Sequence, residues 1–140
     1  MLTPCNCNAL RQATRRVTQL YDRVLAPSGL RVTQYALLSE VERLGPIALL
    51  PLAEAMVMDR ATLGHNIRPL ETAGYLSVSV GKDRRSRVVS LTDAGRKIVA
   101  QVKPLWRQAQ AIFETEIPPA AAAGLREVLG RIASSEFARG

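Results

Sequence analysis

The stretch LAEAMVMDRATLGHNIRPLETAGYLSVSVGKDRRSRVVSLTDAG, Leu52 to Gly95, carries three patterns in succession. A short apolar helix around Leu49–Met56 is followed by a turn at Val57–Asp59. A second helix is predicted from Arg60 to Ala73, with Asp59 as N-cap and Gly74 just past its end. Two short helices joined by a tight turn make a helix-turn-helix. The residues YLSVSV (Tyr75–Val80) and RVVSL (Arg87–Leu91) then alternate as two short strands. The turn between them gathers Lys82, Arg84, Arg85 and Arg87 around one acid, Asp83. A strand, a basic turn and a strand placed after a helix-turn-helix make a winged helix.

The flanking sequence reads as helix. Apolar residues at Leu10, Ala13, Val17, Leu20 and Val24 give three-four spacing over Asn8–Ala26, ended by Pro27–Gly29. A further helix is predicted from Thr33, as N-cap, to Leu44. Thr92 is the expected N-cap of a long helix, and Asp93 suits the positive end of its dipole. Pro104 should bend that helix, and Ile117–Ala120 should break it before a last helix from about Ala120 to Phe137. The fold class is therefore mainly α with a small β-wing, a winged helix-turn-helix on a helical layer. The 140 residues fit one domain.

Composition narrows the function. Net charge is +7, and a small basic protein meets polyanions, either nucleic acid or an anionic membrane surface. No apolar run reaches membrane-spanning length and no signal-peptide layout opens the chain, so a cytoplasmic protein without membrane partners is expected. Catalytic motifs such as a P-loop, GxSxG or HExxH are absent, and the one histidine has no evident nucleophile or acid beside it. Neither an enzyme nor a cofactor is expected, and no metal-spaced cluster stands out.

On the second helix of the helix-turn-helix, Leu63, Ile67 and Leu70 form a buried stripe. His65 and Arg68 point the opposite way, Thr62 sits on the flank, and Asn66 lies nearer the core side. Arg60, Thr62, His65 and Arg68 are the candidate contacts of a recognition helix with double-stranded DNA. Pro69 should kink or loosen it near residues 65–69. In the wing, Arg is favoured in a narrow minor groove. Lys82, Arg84 and Arg87 would mostly meet phosphates, and Asp83 could hold an adjacent Arg side chain in one rotamer.

The segments Leu52–Leu76 and Asp83–Gly95 resemble the MarR family of bacterial transcription regulators. The resemblance spans nearly the whole chain. It implies a homodimer in which helices at about 8–27 and 92–138 form the dimerisation layer and residues 33–91 the winged helix-turn-helix. It further implies a pseudo-palindromic promoter site, usually with repression, and Arg85 as the wing residue that enters the minor groove. His65 stands where the family often has a basic residue such as Arg. Two sensing modes follow from the resemblance. One is a small aromatic ligand in a cleft between the layers. The other is oxidation of a cysteine near the first helix, for which Cys5 and Cys7, with Tyr21 and Tyr35 nearby, are the candidates. A thiol at a helix N-terminus is activated by the dipole, although C-x-C is tight for an intramolecular disulfide. Trp106 and Phe113 on the long helix are expected to pack in the core or an interface. A sequence-indifferent architectural DNA-binding protein is the remaining alternative.

Overall fold

The computed structural model describes residues 2–137; residue 138, the last of the expected dimerisation segments, lies outside the described residues. Among the described residues, six α-helices and one three-stranded sheet run in the order α1 (Asn6–Leu25), α2 (Val32–Leu44), β1 (Ile47–Ala48), α3 (Leu49–Met56), α4 (Arg60–Thr72), β2 (Leu76–Val80), β3 (Arg87–Leu91), α5 (Asp93–Glu116) and α6 (Pro119–Ala133). A single 3-10 turn, Ala26–Ser28, links α1 to α2. Helices α3 and α4 with the β2–β3 hairpin form a winged helix-turn-helix; α1 and α5 pack into a helical layer, with α6 across a cleft from them.

Several helix ends differ from expectation, each for a local reason. Helix α1 starts at Asn6, because the Cys5 thiol accepts the Asn8 N–H and caps the first turn. Helix α2 is entered through Arg31 rather than Thr33. The Gln34 side chain accepts the Arg31 N–H, and Asp22 of α1 accepts the Val32 N–H at 2.8 Å. Helix α6 stops at Ala133, short of Phe137. Pro69 and Pro104 both lie inside helices that continue past them, to Thr72 and Glu116, so neither ends its helix.

Other ends match. Asp59 Oδ1 accepts the Thr62 N–H at 2.7 Å and caps α4. Past Ala73, Gly74 turns left-handed at φ 86°, and the Tyr75 N–H donates to the Leu70 carbonyl. That pair of features closes α4 in a Schellman motif. Ile117 is extended, as a residue before proline must be, and Pro119 opens α6.

The sheet order is β1-β3-β2, antiparallel throughout, with Ile47 opposite Val89 and Val78 opposite Val89 from the other side. Strand β1 has only two residues and no alternation to betray it in the sequence. Its effect is large, because it ties the start of α3 to the base of the wing. The core is aliphatic: Leu25, Leu37, Leu38, Leu52, Leu63 and Leu70 are essentially inaccessible, and no polar or charged residue is buried among the described residues.

Two backbone positions are constrained. A Cβ on Gly95 would lie 2.2 Å from the Tyr75 carbonyl oxygen and 2.6 Å from Leu91 Cδ1, so α5 can sit on the hairpin only with glycine there. Val57, in the helix-turn-helix turn, takes φ 54° and ψ 47°, a left-handed conformation that crowds a β-branched side chain. Gly95→Ala should therefore destabilise the protein by about 2 kcal/mol, since overpacking outweighs alanine's better helix propensity. Val57→Gly should stabilise it by about 1 kcal/mol through relief of the left-handed cost. Urea unfolding of both variants reads the two signs directly; equal effects would contradict the geometry.

Candidate nucleic-acid interface

The recognition surface starts from the Asp59 cap. Its carboxylate accepts the Thr62 N–H and also the Thr62 hydroxyl at 2.9 Å. These bonds, the backbone one first, hold the Asp59 carboxyl below its usual range. Thr62 thus has its hydroxyl proton committed to the cap, which leaves its oxygen as an acceptor. Arg60, Thr62, His65 and Arg68 are all exposed on α4, while Leu63, Ile67 and Leu70 are buried, as the periodicity predicts. Asn66 is a correction: it is exposed rather than turned to the core, and its amide donates to Met58 Sδ. The neighbours of His65 were not evident from the α4 sequence. A cleft of about 140 Å³ sets His65, Asn66 and Pro69 against Arg31, Thr33 and Gln34 at the start of α2.

In the wing, Lys82, Asp83, Arg84, Arg85 and Arg87 are all exposed. Asp83 does not clamp an Arg side chain. Its carboxylate accepts the Arg85 backbone N–H at 3.1 Å, and its carbonyl accepts both the Ser86 N–H and the Ser86 hydroxyl. One aspartate therefore shapes the turn itself, as short polar side chains do in Asx turns. Arg87 folds back to donate to the carbonyls of Arg84 and Ser86, so it braces the turn. Lys82, Arg84 and Arg85 make no ion pair among the described residues.

The wing and α4 converge. A cleft of about 190 Å³ brings Arg60 together with Asp83, Arg85 and Arg87 beside the start of α3. The β1–β3 pairing is what places these guanidiniums side by side. Three positive charges against one negative charge leave this cleft cationic, a suitable seat for a polyanion backbone.

The candidate sensor residues are dispersed. Cys5 and Cys7 are exposed, with Cys5 as cap and Cys7 inside the first turn of α1 rather than before it. Tyr21 lies about 24 Å further along the same helix at 1.5 Å per residue. It is buried and donates to Gln110 Oε1, and burial, then Glu114, pushes its hydroxyl upward against an opposing effect of Arg126. Tyr35 is in the core, 6.4 Å from the Trp106 ring. One chain by itself does not bring either tyrosine to the thiols.

Tyr35 and Trp106 instead wall a cleft of about 410 Å³ between α2 and α5, with Val32 and Lys103. The Ser39 hydroxyl faces this region buried and without a hydrogen-bond partner among the described residues. Phe113 lines the space between α1 and α5. Among the described residues no helix is long and apolar enough to cross a membrane, and no three His, Cys, Asp or Glu side chains cluster as metal ligands would.

No family model matches the chain, and no curated protein matches it. Solved structures do. The chain is similar to the transcriptional regulator MosR of M. tuberculosis, solved in complex with DNA, at 30% identity over 97% of this chain and 99% of that one, with a TM-score of 0.86. Bordetella bronchiseptica BpsR, whose DNA binding is regulated by 6-hydroxynicotinic acid, shares the fold at 24% identity over 96% and 97% of the two chains, with a TM-score of 0.84. A MarR-family transcriptional regulator from Rhodococcus sp. RHA1 does so at 22% identity over 94% and 97%, with a TM-score of 0.80. The 30% identity to MosR over nearly the full length of both chains, with the winged helix fold common to these regulators, leaves one assignment: the chain belongs to the MarR family of winged helix-turn-helix DNA-binding transcription regulators.

Proposed function

We propose that the protein acts as a homodimeric repressor that binds a pseudo-palindromic promoter site and is released by a small aromatic ligand. The cationic cleft that joins Arg60 to Arg85 and Arg87 carries the DNA reading. Arg85 enters the minor groove, Lys82 and Arg84 meet phosphates, and Asp83 and Arg87 hold the wing turn for them. His65 and Arg68 face the major groove from α4, with Arg60 at its start.

The apolar residues left uncovered on the helical layer support the dimer. Leu125, Val128, Leu129 and Ile132 on α6 remain 36–48% exposed, and Ile112 of α5 and Leu10 of α1 are similarly open. Exposed apolar side chains gathered on the helices at the two ends of the chain suit a twofold interface. The cleft walled by Tyr35 and Trp106, which Lys103, Glu40 and Glu42 also line, suits a small aromatic ligand. The ligand named with BpsR is of that kind.

A thiol-based reading has one specific observation behind it. Cys5 is solvent-exposed, and its Sγ caps the N-terminus of the 20-residue α1 by accepting the Asn8 N–H. Oxidation would change the group that accepts the Asn8 N–H.

The DNA reading is tested with the duplex that the protein selects from a randomised library. Arg85→Ala should weaken binding to it by tenfold or more, on the order of 1–3 kcal/mol, with the dimer intact by light scattering. Unchanged binding would sink the wing assignment. Arg68→Ala should alter which sequence is selected, whereas a uniform loss on all sequences would make Arg68 a phosphate contact.

The two sensing modes separate in one assay. Hydroxylated aromatic acids such as 6-hydroxynicotinic acid should quench the single tryptophan, Trp106, and release the DNA. Release by mild peroxide that the Cys5→Ser/Cys7→Ser variant resists would establish the thiol reading in its place.

A further inference from the structure

His65 is the only histidine in the chain, and it sits on the recognition surface. Across the small cleft from it stand Arg31 and Thr33 of α2. Gln34, also in the cleft, accepts the Arg31 N–H through its amide oxygen, which leaves its NH2 group as a further pH-independent donor, and the Asn66 amide donates to Met58 Sδ. Arg31 is exposed and makes no ion pair among the described residues. The charged group that faces His65 from α2 is therefore a guanidinium. Along α4 the nearest charged side chain on the same face is another, Arg68, one turn on. No carboxylate lines the cleft.

We propose that Arg31, Thr33 and His65 form a proton-linked phosphate seat beside the recognition helix, so that DNA binding tightens as pH falls through the histidine range. The inference rests on the DNA reading above and adds residues and a regulation to it. A phosphate oxygen in the cleft would take hydrogen bonds from the Arg31 guanidinium and the Thr33 hydroxyl, both independent of pH near neutrality. The imidazole adds a charge only when protonated, and imidazole is the side chain whose ordinary ionisation falls between about pH 5 and 8. With no carboxylate in the cleft to neutralise an imidazolium, the counter-charge comes from the phosphate. The sign follows by linkage. The complex favours the protonated ring more than the free protein does, so binding takes up a proton. Affinity then rises as pH falls. An arginine in this place would hold the contact at every pH; histidine makes it conditional.

The test uses the full chain and its library-selected duplex, with anisotropy titrations from about pH 6 to pH 8 at several salt concentrations. Affinity of the unaltered protein should rise about tenfold or more toward the acid end, as two seats per dimer each gain a charge. The log affinity against log salt slope should steepen by about 0.9 for each seat over the same range. His65→Gln should bind with no such gain and one shallow slope. His65→Arg should bind tightly at both ends. Arg31→Ala should lower the slope at every pH. A wild-type profile that His65→Gln reproduces would overturn the seat, and so would a flat wild-type profile with tight binding. Absence of binding to any duplex at any pH would overturn the DNA reading itself, and the seat with it. Circular dichroism melts of each variant over the same range distinguish lost contact from lost fold.

Discussion

The approach of Gly95 to the Tyr75 carbonyl fixes how the two halves of the molecule meet. The Thr92 hydroxyl accepts the Gly95 N–H at 3.0 Å and donates to the Gly74 carbonyl at 2.6 Å. Its own N–H donates to the Tyr75 carbonyl. One threonine thus closes the end of α4, the end of β3 and the start of α5 in a single knot. Glycine at 95 lets the backbone of α5 lie against that knot with no Cβ between. The direction of the long helix, and with it the helical layer, is set relative to the recognition helix and wing at this point.

The basic surface is organised by hydrogen bonds to backbone rather than by ion pairs. Asp59 is taken up by Thr62, Asp83 by the wing turn, and Asp22 by the start of α2. The ion pairs among the described residues, Arg43–Glu40 and Arg96–Asp93, lie on exposed helix faces, where such pairs contribute little. Acids near the recognition elements therefore shape the backbone without neutralising the cations beside them. That division of labour leaves the arginines free of ion pairs among the described residues where α4 and the wing converge.

What the sequence made legible was local. Asp59, Gly74 and Thr92 are residues whose short side chains or absent Cβ act on their own helix ends, so their positions could be read directly. The alternating strands and the charged hairpin tip were equally plain. What could not be read depended on partners far along the chain or on atypical chemistry. Strand β1 is two residues long and exists only through β3. The start of α2 is set by Asp22, ten residues upstream, and by a glutamine reaching back. Helix α1 is capped by a thiol, a weak acceptor that capping rules do not count on. The interface followed the same rule. Arg60, His65, Arg68 and the wing arginines came from periodicity and charge. The union of Arg60 with the wing, and of His65 with Arg31, came only from the packing of β1 and α2.

The central claim is that this surface reads sequence rather than merely charge. The most direct measurement compares affinity for the selected duplex with affinity for a scrambled duplex of the same length and composition at physiological salt. A specific regulator should show a ratio on the order of 10³ or more. A ratio near one, with binding lost steeply on added salt, would contradict the account and leave a protein that coats DNA by charge alone.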